Sequence, residues 1–512
     1  MVLKDINLLK EISEFKISDD CEHMKNPKDH ILDDKIQGEL NELCKLLENN
    51  DNIYSHEETI RKLWVKLIKK SIKCLRYYDR REPFFENDKK VPVVEINELI
   101  TYFEHYTKSE GILYASSGKY RDHVIHAFRT WLVGMYILLT TSFTSDEKPM
   151  IEKIILDGVD IRVDTKIKPK EEDLLTEKDD CISEVTISKF EILSMWTLIS
   201  LCHDLGYPFE KLKQINDNEH TKYFTAYFNF NPNVTVSVNF SNTQDKISQD
   251  VIRFMSSRTE RDEIRKKYFV RSQPKYSNKF YDSLSKCFHG SISANVLFNT
   301  LLYFKESDYN TGTSYYFENN NDIVQYYIRR EILRSIAIHT WHDIYHIKTT
   351  TMPFLLIVCD ELQEWDRKTY DDFYKSKQDI ESSVELVNIS EKEVHIRETL
   401  KFKSASPNYK ILFENYWTQY DYYQKIFRDG MDTKLREFSF LKEVDIEKKE
   451  RICFKMNVSK DSTSTFSIHY ESNGAKKEYR NEFGKIKEDI KKKFKLELKE
   501  EEHCSYLSYK ED

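Results

Sequence analysis

An imidazole and a carboxylate stand side by side at His203 and Asp204, where the apolar run Phe190 to Cys202 (FEILSMWTLISLC) ends. Burying that pair at the end of a core helix is costly unless something compensates both groups. A divalent cation does so at once, since imidazole and carboxylate together suit zinc, iron, nickel or manganese. Gly206 and Pro208 then stop the helix. A lone His-Asp dipeptide says little, but the setting recurs. RDHVIHAFR at 121–129 opens the apolar run Thr130 to Leu139, and FHGSISA at 288–294 opens another. His339 closes a helix-like segment that begins near Asp322, and Pro353 to Cys359 (PFLLIVC) runs straight into Asp360. Each is an isolated ionisable group against an apolar helix, which is how buried ligands read and how solvated faces do not.

The order His, His-Asp, His, His, Asp on successive helices resembles the HD superfamily of metal-dependent phosphohydrolases. The residues that carry the resemblance are His126, His203, Asp204, His289, His339 and Asp360, within "DHVIHAFRTWLVG", "CHDLGYP" and "CDELQEW". It covers roughly residues 100 to 370, as ordered context across long spacings and not as a compact motif. It implies an all-helical core with one divalent metal ion or a close pair, drawn from Mn, Fe, Ni, Mg or Zn. It also implies the ligand roles: Asp204 bridging, His203, His126 and Asp360 on one ion, His289 and His339 on the other. Adjacent residues on a helix do not face the same way, so His203 and Asp204 share a site more easily when they serve a pair of ions.

The implied reaction is cleavage of a phosphate ester of a nucleotide-type substrate by a metal-activated water. A cyclic nucleotide or phosphodiester is favoured over deoxynucleoside triphosphate triphosphohydrolysis, because histidines beyond a minimal four-ligand set point to two ions. The triphosphohydrolases that share "HDLG" carry further histidines just after it, where this chain has Tyr207 and nearby residues that are not histidine. A metal-stabilised nucleotide sensor without turnover is the non-catalytic alternative. His123 lies one helical turn before His126 and is expected to contact substrate phosphate. Arg129, Lys211 and Asp204 complete the expected catalytic set, and Arg121, Tyr207 and Arg367 the expected substrate contacts. Glu361 is expected either to orient a ligand imidazole or to face water, and His342 and His346 to lie beyond the ligands on the face of His339.

Glycine is scarce, at 11 of 512 residues, which favours helices. No GxxxxGK[ST], GxGxxG or GxSxG occurs, so phosphate-loop, dinucleotide-fold and hydrolase-elbow readings fall away. Gly134, Gly206 and Gly290 lie beside the expected ligands. The net charge of −8 counts against a nucleic-acid strand as partner. Nine cysteines without a CxxC, and no signal peptide, read as reduced thiols in a cytoplasmic protein. Cys202, Cys287 and Cys359 flank ligands and read as packing residues. No apolar run reaches the ~18 residues a bilayer requires, so no membrane partner is expected, while a homo-oligomer is compatible with the sequence.

The chain is thus expected to be mainly α, with an HD-type helical core and a smaller C-terminal α+β domain. Residues 1–95 read as helical, the core as 96–372 with insertions at about 145–189 and 212–285, and the C-terminal domain, regulatory or oligomerising, as 373–512. Alternation at Ile161, Val163 and Thr165 suggests a hairpin, NVTVSVNF at 233–240 a strand, and residues 258–267 a charged helix. Beyond Arg367 the pattern reads as β-β-α-β-β-α: strands near 384–388, 392–403, 452–458 and 465–471, with helices at 411–440 and to about Leu498.

Overall fold

The computed structural model describes residues 1–15, 30–49, 52–75, 85–86, 89–90, 95–116, 122–140, 149–152, 154, 161–163, 185–211, 242–262, 267–304, 317, 320–340, 346–363, 365, 380–402, 409–432, 437–447, 451–460, 464–472 and 475–480. The molecule is mostly helical with a C-terminal mixed sheet. Helices α1 (Asp5–Glu14), α2 (Asp34–Asn49), α3 (Glu57–Cys74) and α4 (Glu95–Ser116) precede α5 (Val124–Thr140) and α6 (Lys189–Cys202). Then come α7 (Asn242–Met255), α8 (Pro274–Ser285), α9 (His289–Thr300), α10 (Asn320–Ile338), α11 (Met352–Leu362) and α12 (Tyr409–Tyr423). Among the described residues no helix is long and apolar enough to cross a membrane.

Two helices carry the centre of the fold because their sequences leave no polar face. From Phe190 to Cys202 every residue of α6 is buried, and so is nearly all of α5; a helix apolar all round must be enclosed on every side. Ser188 and Glu191 start α6 with a reciprocal capping box. Its far end, where carbonyls lose their helical partners, is met from outside: Trp64 Nε1 donates to the Leu201 carbonyl at 3.0 Å, and the Tyr102 hydroxyl donates to that of Leu205 at 2.6 Å. Asp122 accepts the first backbone N–H groups of α5, from Val124 and Ile125. Trp131 Nε1 donates to Thr197 Oγ1, and Trp196 Nε1 to the Trp131 carbonyl, locking the two helices together.

The strands are β1 (Val2–Leu3), β2 (Phe85–Glu86), β3 (Lys89–Lys90), β4 (Ile161–Val163), β5 (Val185–Ile187), β6 (Ser257–Asp262), β7 (Lys267–Ser272), β8 (Ile380–Ile389), β9 (Glu393–Phe402), β10 (Ser439–Glu447), β11 (Arg451–Ser459), β12 (Thr465–Ser472) and β13 (Ala475–Arg480). Seven of them form one sheet in the order β1-β8-β9-β10-β11-β12-β13. Only β9 and β10 run parallel within it, joined by a crossover through α12. Val394, Ile396, Phe440, Val444, Phe454 and Phe466 on one face bury against Tyr416, Tyr420 and Tyr423 of α12 and Phe427 beyond it.

Four local expectations change. Ile161–Val163 is a strand, but it pairs in parallel with Val185–Ile187 and makes no hairpin. The segment read as a charged helix at 258–267 is the antiparallel pair β6–β7. Glu260 takes Arg258 along its own strand and Arg271 across the ladder, while Thr259 and Val270 sit opposite each other; cross-strand pairing and the β-formers Tyr268, Phe269 and Val270 outweigh helix propensity there. The helix expected over 411–440 ends at Tyr423 and passes into a π-helical stretch, Gln424–Asp429. Phe438 then leads into the strand that holds Phe440, so four strands follow α12 instead of two. Residues 233–240 and the Lys-rich segment to Leu498 lie outside the described residues.

The sheet is also tied to the helices at several points. β1 pairs with β8, Ile347 bridges to Met431, Phe354 of α11 meets Phe438 edge-on at 5.8 Å, and the buried apolar cluster runs without a break from Leu3 to Ile468.

One contact sets the spacing of α5 and α6. A Cβ on Gly134 would lie 2.0 Å from the Trp196 ring. Gly134→Ala is therefore expected to lower stability by about 3 kcal/mol through overpacking, read as a lowered midpoint in chemical denaturation; an unchanged midpoint would show that these helices are free to separate.

Candidate metal centre

Helix ends deliver the expected ligands to one place. His126 comes from the first turn of α5, His203 and Asp204 from the turn after α6, and His289 from the start of α9. His339 follows the end of α10, and Asp360 lies in the last turn of α11. Two glycines allow the approach. A Cβ on Gly206 would strike the His289 carbonyl at 2.4 Å, and one on Gly290 the Ile336 carbonyl at 2.6 Å. The backbone N–H of Gly206 donates to Ser293 Oγ at 2.7 Å, pinning the His-Asp turn to α9.

Asp204 is the centre of the cluster, and its two oxygens serve different neighbours. Oδ2 lies 3.2 Å from His126 Nε2 and 3.4 Å from His203 Nε2. Oδ1 lies 3.2 Å from His289 Nε2 and 3.7 Å from His339 Nε2. Asp360 Oδ1 closes the first side, 3.1 Å from His126 Nε2 and 3.9 Å from His203 Nε2. His126, His203 and Asp360 each offer a ligand atom within 4.8 Å of the others, and so do His203, Asp204 and His339. Neither of these groupings contains a cysteine. Cys202 and Cys359 are buried, with their thiols pushed up by that burial, and act as packing.

The imidazole tautomers explain why cations fit here. His203 Nδ1 lies 2.7 Å from the Ser200 carbonyl, and His339 Nδ1 lies 2.5 Å from that of Ile336. A carbonyl can only accept, so each Nδ1 carries the hydrogen and each Nε2 of the neutral ring presents a lone pair. His289 Nδ1 meets the Glu210 carboxylate at 2.6 Å and is fixed in the same sense. Nε2 atoms then confront each other at 3.1 Å in two pairs, His126 with His203 and His289 with His339. Facing lone pairs repel unless a cation or a proton lies between them. The donor set of four nitrogens and carboxylate oxygens suits a divalent transition metal.

Electrostatics divide the two sides. Burial opposes ionisation of Asp204, yet the imidazoles of His203, His126, His289 and His339 hold its carboxyl well below the usual carboxylate range. Asp360, partly shielded from water by its neighbours, is likewise held low by His126 and His203. Burial pushes His203 down to about 4, so it is neutral and ready to ligate. Burial also opposes charge on His289, but Glu210 and Asp204 outweigh it and raise the ring to about 10. Without an ion, His289 therefore keeps a proton that a metal has to displace.

The remaining expected residues divide by position. The His123 ring is buried, 6.2 Å from that of His126 and 3.9 Å from that of Tyr207. Tyr207 in turn meets His289 edge-on at 5.4 Å, and Lys211 Nζ lies 4.8 Å from the Tyr207 ring centroid. Burial lowers Lys211, against the pull of Glu210. The catalytic part expected of Arg129 is corrected by its contacts. Its guanidinium takes both Asp5 oxygens, at 2.9 and 2.7 Å, and the Trp365 carbonyl at 2.7 Å, so the charge is spent joining α1 to α5. Glu361 accepts the Tyr423 hydroxyl at 2.8 Å. The carboxylate that orients an imidazole of the cluster is Glu210, on His289; in the sequence it is marked only as an acid within the short GYPFEK segment. Arg121, Arg367 and His342 lie outside the described residues, and His346 is exposed.

Comparison with protein-family models, with curated proteins and with solved structures gives no match for this chain.

The state of His289 would make uptake of an ion at this cluster pH-dependent. Because its proton persists up to about pH 10, binding beside Asp204 Oδ1 at pH 8 should release close to one proton, and affinity there should climb about tenfold per pH unit from 7 towards 10. Titration calorimetry in buffers of different ionisation heat reads the released proton directly; uptake of two ions with no proton released would contradict this protonation scheme.

Proposed function

We propose that the chain is a metal-dependent phosphohydrolase of the HD superfamily type, acting on a phosphate ester of a nucleotide-type substrate. The observation that supports it most is the division of one carboxylate: Asp204 turns one oxygen to His126 and His203 and the other to His289 and His339. That arrangement suits two divalent ions better than one. His126, His203, Asp360 and Asp204 would hold the first, and Asp204, His289 and His339 the second. Divalent ions so held supply Lewis acidity to phosphoryl oxygens and lower the pKa of water.

What the chain's own groups contribute follows from their surroundings. Three ligand imidazoles are locked in orientation by acceptors at Nδ1, which fixes ligand direction without reorganisation. Asp360 is the most open ligand, its side chain about one-third exposed, while His203 is wholly buried; substrate therefore reaches the cluster past Asp360. Lys211 is poised over Tyr207 with burial making its ammonium proton easier to give up. It is the group best suited to pair with a phosphate oxygen or protonate a departing one. The Tyr207 ring, tilted 39° against the buried His123 ring, stands beside the ligands and offers an aromatic surface of the kind on which a nucleobase stacks.

The test is a panel of cyclic nucleotides, dinucleotide phosphodiesters and deoxynucleoside triphosphates, assayed with Mn, Fe, Ni, Mg and Zn in turn. Hydrolysis of at least one class is expected, and Asp204→Ala should reduce it by about 10³-fold or more, a loss of roughly 4 kcal/mol of barrier lowering. Release of tripolyphosphate would reassign the substrate to deoxynucleoside triphosphates. Tight nucleotide binding with no turnover in any metal would refute the hydrolase reading in favour of a sensor.

A further inference from the structure

We infer that Glu210 is a positioning residue that creates the second metal position, by fixing His289 as its ligand. This inference rests on the two-ion reading above. Glu210 lies in the helical turn that follows the His-Asp pair, in residues 207–211. A single oxygen of its carboxylate, Oε2, accepts the backbone N–H of His289 at 3.0 Å and meets its ring Nδ1 at 2.6 Å. Two bonds to one residue, one to the main chain and one to the ring, fix where the residue sits and how its ring is turned.

The other side chains of the cluster are oriented differently. His203 and His339 are held by carbonyls three residues back in their own helices, Ser200 and Ile336. Those acceptors come with any helix end and need no particular side chain. His289 stands at the first position of α9 and has no preceding turn to supply one. Phe288, immediately before it, offers no side-chain cap. An acceptor for Nδ1 must then come from elsewhere in the chain, and Glu210 is 79 residues away in sequence. With a carboxylate at Nδ1 the ring hydrogen is kept there, and Nε2 is aimed at Asp204 Oδ1, 3.2 Å away. A charged acceptor also makes the imidazole a stronger donor than a carbonyl does. This matters more on the second side, where Asp204 Oδ1, His289 and His339 include a single carboxylate oxygen, than on the first, where Asp360 adds another.

The same contact caps the helix, and the experiment must separate the two roles. Full-length wild type, Glu210→Ala, Glu210→Gln and His289→Ala are loaded with Mn, then assayed for bound metal per chain and for dissociation constants, alongside thermal melts of the metal-free proteins. Wild type is expected to hold two ions. Glu210→Ala should lose one of them, its second dissociation constant rising about 100-fold, and should match His289→Ala. Glu210→Gln keeps an acceptor without the charge and should retain both ions, the second bound about tenfold more weakly. Two ions held with unchanged affinity in Glu210→Ala would overturn the inference while leaving the two-ion reading intact, and so would a loss of metal that only follows a loss of melting temperature. Wild type that binds no ion would defeat the underlying reading itself, and the inference with it.

Discussion

The centre of this molecule is organised by the confrontation of ring nitrogens around one carboxylate. Four imidazoles, three of them with Nδ1 committed, turn Nε2 inward, and in each of two pairs the nitrogens approach to 3.1 Å. Each pair rests in that arrangement only with a proton or a cation between its nitrogens. Asp204 reconciles them by standing between the pairs with one oxygen for each. The buried aspartate is tolerated as an anion in turn because imidazoles on both sides compensate its charge. Neither partner is stable there alone.

The scaffold can be read outward from that requirement. Ligands at helix ends need those ends to meet, and they meet because Gly206 and Gly290 let backbone press on backbone. Helix ends also leave carbonyls without partners, and the fold uses some of these to good purpose. Those of Ser200 and Ile336 hold ligand rings, while those of Leu201 and Leu205 are satisfied by Trp64 and Tyr102 from α3 and α4. The N-terminal helices thus belong to the structure of the His-Asp turn. Arg129 makes the same point from the other side, since its buried charge is answered by Asp5. On the C-terminal side, Tyr423 reaches Glu361, the neighbour of Asp360, while Lys442 contacts both Tyr423 and Glu398. A buried polar chain therefore runs from the sheet to the ligand helix.

How much of this was legible in the sequence depended on range. The helices of the core announced themselves because α5 and α6 are apolar on every side, and the ligand candidates stood out as single ionisable groups at the ends of such runs. Glu210 was invisible because its partner lies 79 residues away, and nothing local distinguishes it from a solvated acid. Arg129 misled for the same reason: a cation one turn from His126 looks like a phosphate contact until Asp5, 124 residues back, is seen to hold it. The β6–β7 ladder was mistaken for a helix because charged residues suit both, and only the opposing strand decides between them. Strand β10 was hidden behind the aromatic run of α12, where Phe438 and Phe440 continue the composition but not the helix.

The short strand β1 carries a consequence for how the protein is made. Val2 and Leu3 pair with Val384 and Glu385, and α1 just beyond carries the Asp5 that answers Arg129. A ribosome emits the first of these residues long before the last. Until more than 380 further residues have emerged, β1 has no edge to join. Contacts this distant along the chain make assembly slow. The pairing of β1 therefore waits for the C-terminal sheet, and nascent chains stalled in the middle of the message would carry this strand without its partner, in the state in which unpaired edges associate wrongly.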